Sequence, residues 1–351
     1  MTAYESLNPT QQIEYLHSLA EKALPLWSMT GAILELIKYR ENAVFKVKTR
    51  SGKQYALRLH RPGYHSDVAL LSELQWIQSL EEHGIDSPQV IPTSDGHLFA
   101  KIFCNKMSAD EDPEIRQVDM FAWVNGEQLG SAENGLGNKP GKVRDVYRTI
   151  GQLSAQLHNQ ASQWQQPDGF QRHAWDLEGL VGETPFWGPF WALDSLTDTQ
   201  KELIDTAKNS IKAILNNYGK ESTHYSMIHA DLVPENLLLE GKRVRLIDFD
   251  DAGFGWHMFE IATALYFIQN DPQYEVAKTA LIEGYREHRS LPDSELSLLP
   301  LFLAARGFTY LGWVQSRQET ETAREMTPQL VKMACDAAGR FLQGLNEVAA
   351  S

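Results

Sequence analysis

The run His229-Ala-Asp231-Leu-Val-Pro-Glu-Asn236 sets an aspartate and an asparagine five residues apart, and twelve residues further on Asp248 closes the apolar run VRLID. Phosphoryl transfer requires a group to take the proton of an acceptor hydroxyl, and hard oxygen ligands for the metal that bridges the nucleotide phosphates. One carboxylate, one carboxamide oxygen and a second carboxylate supply those parts. In that chemistry Asp231 is the base, Asn236 and Asp248 are the Mg²⁺ ligands, and ATP is the phosphoryl donor. His229 is a brace for the loop, because Asp231 already fills the role of proton carrier. Asp250 and Asp251, within DFDDAG, are metal or acceptor contacts on one reading and solvated turn residues on the other.

These residues need a frame to hold them. SMIHADLVPENLLLEGKRVRLIDFDDAG reads as a strand, a loop, a hairpin with the turn EGK, and a second strand ending in the acidic cluster. Around it, apolar residues at three and four spacing predict helices over 142–161, 199–217, 256–269, 275–289, 294–316 and 322–348. Upstream, from Ala32 to Val124, the pattern is instead five short β-type runs: AILELIKY, AVFKVKT, QYALRLH, HLFAKIF and VDMFAWV. Turn-forming SGK, RPG and SDG and a polar DEDPE stretch separate them. One helix interrupts this region at 67–83, with Val68, Leu71, Leu74 and Ile77 spaced three apart on an apolar face that Leu70 and Leu80 widen; Glu73 sits within it. The expected fold class is α+β: a small β-rich N-terminal lobe over 1–125, opening on an amphipathic helix, and a larger helical lobe over 126–351.

At 351 residues the chain is too long for one ordinary core, which predicts two packed lobes with a cleft between them. With 32 Lys and Arg against 46 Asp and Glu, the net charge is −14. A surface this acidic repels phosphate backbones and anionic headgroups, which argues against nucleic acid and membrane as partners. Cys104 and Cys335 form neither a CxxC nor a Cys/His cluster, so neither a disulfide framework nor zinc is signalled. The N-terminal stretch lacks the basic and apolar regions of a signal peptide, and the apolar run LSLLPLFLAA is short of the roughly 20 residues that span a bilayer. The expected location is the cytoplasm.

HADLVPENLLL followed by RLIDFDDAGFGW resembles the aminoglycoside phosphotransferase and choline kinase group, a branch of the protein-kinase-like fold, in its H-x-D-x-x-x-x-N catalytic loop and its metal-binding Asp. The resemblance extends over about Ile33 to Phe267. It implies that Arg58, in YALRLH, grips the α and β phosphates and pairs with Glu73, and that MFAWVNGEQL is the hinge whose backbone at Ala122, Trp123 and Val124 hydrogen-bonds adenine. HAWDLEGLVGETPFWGPFW is also similar to the subgroup holding bacterial stress-response Ser/Thr kinases and type II homoserine kinases. Three departures stand out. Arg58 replaces the usual Lys, RENAVFKV replaces a Gly-rich loop, and Glu260 stands where the group usually has Asp.

Other readings of the same residues are weaker. Asp248, Asp250 and Gly253 fall at EF-hand positions one, three and six, but Ala252 and Phe259 occupy positions five and twelve and a strand precedes them. GLGNKPGKV fails as a P-loop, because Leu136 stands where Gly is needed and Val143 where Ser or Thr holds the metal. The aromatic residues between Trp164 and Trp191 are packing on one reading. On the other, Trp175, Trp187 and Trp191 with Asp176, Glu178 and Glu183 form an acceptor pocket for a cationic amino-alcohol or amino sugar. Three functions follow: a small-molecule kinase, a stress-type Ser/Thr protein kinase, and a non-catalytic nucleotide-binding module. The acidic surface and aromatic insert favour the first.

Overall fold

The computed structural model describes residues 7–39, 42–103, 115–129, 140–241, 243–318 and 320–350. Cys104, the DEDPE stretch, residues 135–139 of the refused P-loop, Arg40 and Glu41 of RENAVFKV, and Lys242 of the EGK turn lie outside the described residues. The chain divides into two compact units, Met1–Asn125 with Gln166–Gln171, and Gly126–Gln165 with Arg172–Ser351. The return of 166–171 to the first unit is a feature that a single boundary at 125/126 does not contain. The Gln171 amide donates to Ser72 Oγ there at 2.9 Å.

Helix α1 (Pro9–Ala23) opens the first unit, started by a capping box in which Asn8 and Gln11 exchange side-chain and backbone hydrogen bonds. Strands β1 (Ile33–Tyr39), β2 (Ala43–Lys48), β3 (Gln54–Leu59), β4 (Phe99–Phe103) and β5 (Ile115–Ala122) form an antiparallel sheet in the order β1-β2-β3-β5-β4. Alternation along the strands turns Phe45, Val47, Leu57, Leu59, Val118 and Met120 onto one face, where Leu16, Leu19, Ala20 and Ala23 of α1 cover them. Helix α2 (Asp67–Glu82) starts on Ser66, whose side chain accepts from the Ala69 amide. Its buried face is Leu70, Glu73, Leu74, Ile77 and Leu80, whereas Val68 and Leu71 are exposed. The expected face holds at Leu70, Leu74, Ile77 and Leu80 and fails at Val68 and Leu71: a helix turns every 3.6 residues, so a strict period of three drifts off the face.

The second unit is mostly helical: α3 (Pro140–Gln163), α4 (Leu177–Val181), α5 (Asp198–Tyr218), α6 (His257–Tyr266), α7 (Tyr274–Arg286), α8 (Asp293–Leu296), α9 (Leu299–Gln315) and α10 (Glu321–Ala350). The expected helix at 294–316 is interrupted after Leu296 and resumes at Leu299, with Pro300 in its first turn. Helices α3 and α7 cross with their backbones in contact. A Cβ on Gly151 would stand 2.0 Å from the Leu281 carbonyl oxygen, and one on Gly284 2.0 Å from that of Arg148. The stretch Asp293–Gln315 is long and apolar enough to cross a membrane, but 78% of its apolar window is buried inside the protein, as in a core helix.

Two small sheets break the helical pattern. Strands β6 (Glu127–Gln128), β9 (Leu237–Glu240) and β10 (Arg243–Leu246) form one in the order β10-β9-β6. Strands β7 (Ala174–Trp175), β8 (Tyr225–Ile228) and β11 (Gly253–Trp256) form the other in the order β7-β11-β8. The aromatic stretch between Trp164 and Trp191 thus contributes the two-residue strand β7 and the short helix α4.

Candidate active site

Strand β8 delivers the chain to His229 and β11 leaves from Gly253, and the two pair antiparallel with Ile228 opposite Gly253. That register fixes the start of the loop against the end of the acidic turn. The β9–β10 hairpin does the same from the other side. Leu237 lies opposite Leu246, and the Ile247 amide donates to the Asn236 carbonyl at 3.0 Å, which brings Asn236 beside Asp248.

Two non-glycine positions in this frame are left-handed, Ala230 at φ 62° and Asp248 at φ 66°. Such strain costs about 1–3 kcal/mol in a non-glycine residue and persists only where the surroundings impose it. At the first position Glu260 of α6 imposes it: its carboxylate accepts from the His229 amide at 2.9 Å and from the Ala230 amide at 2.6 Å. Burial pushes the Glu260 carboxyl up to about 7, against the opposing pull of those two amides. His229 is a brace, with Nε2 3.1 Å from the Ile247 carbonyl oxygen.

The Asp231 carboxylate is held through both oxygens. Asn236 Nδ2 donates to Oδ2 at 2.6 Å, and Arg306 Nη2 donates to Oδ1 at 3.0 Å. Asn236 Nδ2 also donates to the Asp231 carbonyl at 3.1 Å. Its nitrogen is thereby committed, and its Oδ1 has no partner among the described residues. That oxygen and the neighbouring Asp248 carboxylate are hard donors of the kind Mg²⁺ takes, so the residues present fit such an ion.

The acidic turn is clamped along its backbone. Arg172 donates to the Asp250 carbonyl at 2.5 Å and to that of Ala252 at 2.6 Å, while Trp175 Nε1 donates to the Asp251 carbonyl at 2.9 Å and His173 Nε2 lies 3.0 Å from the same oxygen. Asp250 is buried.

In the first unit Arg58 and Glu73 meet as an ion pair, Nη2 to Oε1 at 2.7 Å, and both are buried. Arg58 also makes a two-pronged contact with Asp119, Nε to Oδ1 at 3.1 Å and Nη2 to Oδ2 at 2.7 Å, set by their opposition across β3 and β5. His60 Nε2 lies 2.8 Å from the same Oδ2. Burial works to raise the Asp119 carboxyl, but the charges of Arg58 and then His60 outweigh it and hold it at about 2. At the expected hinge, the Ala122 amide donates to the Gln89 carbonyl and the Trp123 amide to the Gln54 carbonyl. The Val124 N–H has no partner among the described residues. Lys46 Nζ covers the Trp123 ring at 4.3 Å.

Residues 34–292 match the phosphotransferase enzyme family, APH. The chain belongs to that family. The solved structure of a microcompartment-associated aminopropanol kinase superposes with a TM-score of 0.80 at 30% identity, covering 93% of this chain and 98% of that one. A homoserine kinase of Rhizobium meliloti is 26% identical over 276 residues, which are 76% of this chain and 73% of its own. Amicoumacin kinase hAmiN, solved with AMP-PNP, Ca²⁺ and Ami, superposes with a TM-score of 0.73 at 19% identity, covers 94% of this chain and 96% of its own, and shares the fold. The fold of this phosphotransferase is protein-kinase-like, and the protein is an enzyme, a kinase of the small-molecule kind. The reading of a non-catalytic module falls with that.

Most of the aromatic residues and acids expected to line an acceptor pocket in this phosphotransferase are already engaged internally. Trp175 is fully buried beneath the acidic turn. Asp176 caps α4 by accepting from the Gly179 amide and pairs with Lys220 at 2.5 Å. Trp191 lies under Lys208 Nζ at 3.8 Å, and Trp187 faces the Arg306 guanidinium at 4.9 Å. These four residues therefore do not assemble into one open, cation-seeking pocket; two of the rings have their cations supplied by the protein itself, and Trp175 packs edge-on against Trp187.

Sequence reasoning missed two residues. Asp119 stands between apolar residues in VDMFAWV, and Arg306 is the only charged residue in the α9 sequence LPLFLAARGFTYLGWVQ. A lone charge inside an apolar element is a signal that could have marked both.

Proposed function

We propose that this phosphotransferase transfers the γ-phosphate of ATP to the hydroxyl of a small amino-alcohol or amino-acid acceptor, with Asp231 as the base. The observation that carries the reading is the two-sided hold on Asp231, together with the backbone hydrogen bond that ties Asn236 to Ile247, the residue before Asp248. Asp231 accepts the hydroxyl proton as the acceptor oxygen forms its bond to Pγ, and the β–γ bridging oxygen leaves with ADP. Asn236 and Asp248 would hold the Mg²⁺, which when bound would neutralise charge on the nucleotide phosphates. Arg58, oriented by Glu73 and Asp119, contacts the α and β phosphates, and the Val124 N–H donates to adenine.

The acceptor class rests on likeness. The kinases named for aminopropanol and for homoserine act on compounds that carry both a hydroxyl and an amine. A peptide acceptor fits less well: α6 begins at His257, nine residues after Asp248, and leaves little chain for a peptide platform. The reading also keeps the protein in the cytoplasm, where its nucleotide is. The test is ADP release by purified protein with Mg²⁺-ATP against amino-alcohols, homoserine, amino sugars and a generic Ser/Thr protein. Turnover with an amino-alcohol or homoserine at least about 100-fold above the ATPase background is expected. Turnover confined to the protein or to amino sugars would overturn the acceptor class.

A further inference from the structure

Arg306 lies on an otherwise apolar helix and is fully buried, and among the described residues its side chain donates to Asp231 Oδ1 at 3.0 Å and, from the same Nη2, to Tyr310 Oη at 2.8 Å. Its Nε and Nη1 have no hydrogen-bond partner among the described residues. The guanidinium is instead boxed by rings, with centroids 4.3 Å away for Tyr310, 4.9 Å for Trp187 and 5.4 Å for Phe259. Burying a charge this way is a poor route to stability, since well-packed apolar groups do as well or better. What the arrangement does deliver is a rigid, charged donor aimed at one carboxylate oxygen. Its packing is tight on both sides: a Cβ on Gly307 would stand 3.0 Å from Ala334 Cα, and one on Gly312 2.7 Å from the Gly188 carbonyl oxygen.

We propose that Arg306 is a positioning residue for the reaction, fixing the orientation of the Asp231 carboxylate jointly with Asn236. This rests on the reading of Asp231 as the base. Arg306 takes Oδ1 and Asn236 takes Oδ2, so rotation about the Cβ–Cγ bond is blocked from both ends. Trp187 and Tyr310 then serve to hold the guanidinium, not to recognise the acceptor. Near-attack geometry is sensitive to displacements of about 1 Å, which cost about 100-fold in rate.

The experiment compares wild type with Arg306→Met, which keeps bulk and removes charge, and Arg306→Lys, which restores a charged donor. Arg306→Met is expected to lower kcat about 100-fold with KM for nucleotide within about threefold, and Arg306→Lys to recover about tenfold of the loss. A folded Arg306→Met with kcat within about threefold of wild type overturns the proposal. If Arg306→Met does not fold, Tyr310→Phe carries the test, because it frees the guanidinium from its other anchor. A several-fold fall in kcat at unchanged KM supports the proposal, and no change overturns it. A second arm needs no acceptor and so stands apart from the functional reading: crystal structures of wild type and Arg306→Met. A rotated Asp231 carboxylate supports the role, and an unmoved one overturns it even where no tested acceptor turns over.

Discussion

Arg58 shows how a single substitution of type reorganises its neighbours. An ammonium has no fixed fork, whereas a guanidinium presents Nε and Nη2 in one plane, and here that plane meets both oxygens of Asp119 while Nη2 also reaches Glu73. Two buried carboxylates then share one arginine, with His60 on the second carboxylate. Arg58→Lys, although it restores the residue more usual in this fold, is therefore expected to destabilise the protein by about 2 kcal/mol, because Asp119 keeps a charge nearby but loses its fork. Urea unfolding checks this, and a midpoint equal to that of wild type would contradict it. The Arg58–Glu73 pair was legible in the sequence through the family pattern. Asp119 was not, since only the pairing of β3 with β5 sets it opposite Arg58.

At the scale of elements, α6 and its neighbours carry groups whose titration couples fold to pH. His158 of α3 and His257 of α6 stack at 4.1 Å, buried, with His158 Nδ1 2.8 Å from Tyr285 Oη and His257 Nε2 2.9 Å from Ser226 Oγ. Burial holds both imidazoles well below their ordinary value of 6.5, and Arg289 adds to it. The unfolded chain thus binds protons on both below about pH 6.5 while the folded protein does not, so stability is present above that value and lost as pH falls through it. Glu260 works the other way: with its folded value near 7 against an ordinary 4.5, the folded state binds the extra proton between those limits. Two protons favour unfolding and one opposes it, so stability is expected to fall by about 1.4 kcal/mol per pH unit below pH 6.5, the value of one net proton. Glu260→Gln removes the opposing proton and is expected to steepen the fall. Urea midpoints from pH 8 to 5 read both slopes, and a flat profile for wild type would contradict the assignment. None of this was visible in sequence order, because His158 and His257 lie on separate helices and only packing stacks them.

For the whole molecule, the division into a β-rich and a helical part was readable because the hydrophobic period changes from two to 3.6 after Gly126. The five β-runs and most helices followed from that period alone. What failed had local physical causes. Strands of two residues such as β7 have no period to detect, the stripe on α2 drifted because its spacing was three, and the aromatic insert was read without the lysine and arginine that fill its faces. Asp231, Asn236 and Asp248 were legible because their spacing reflects two hairpin-like pairings, β8 with β11 and β9 with β10. The strain at Ala230 and Asp248 was hidden, since neither residue type advertises a left-handed backbone as glycine does.

The most direct test of the central claim is Asp231→Asn, compared with wild type for acceptor-dependent ADP release and for nucleotide affinity. Asparagine keeps the size and loses the base, so kcat should fall about 1,000-fold while the nucleotide dissociation constant stays within about threefold. An Asp231→Asn protein that turns over acceptor at the wild-type rate would contradict the account.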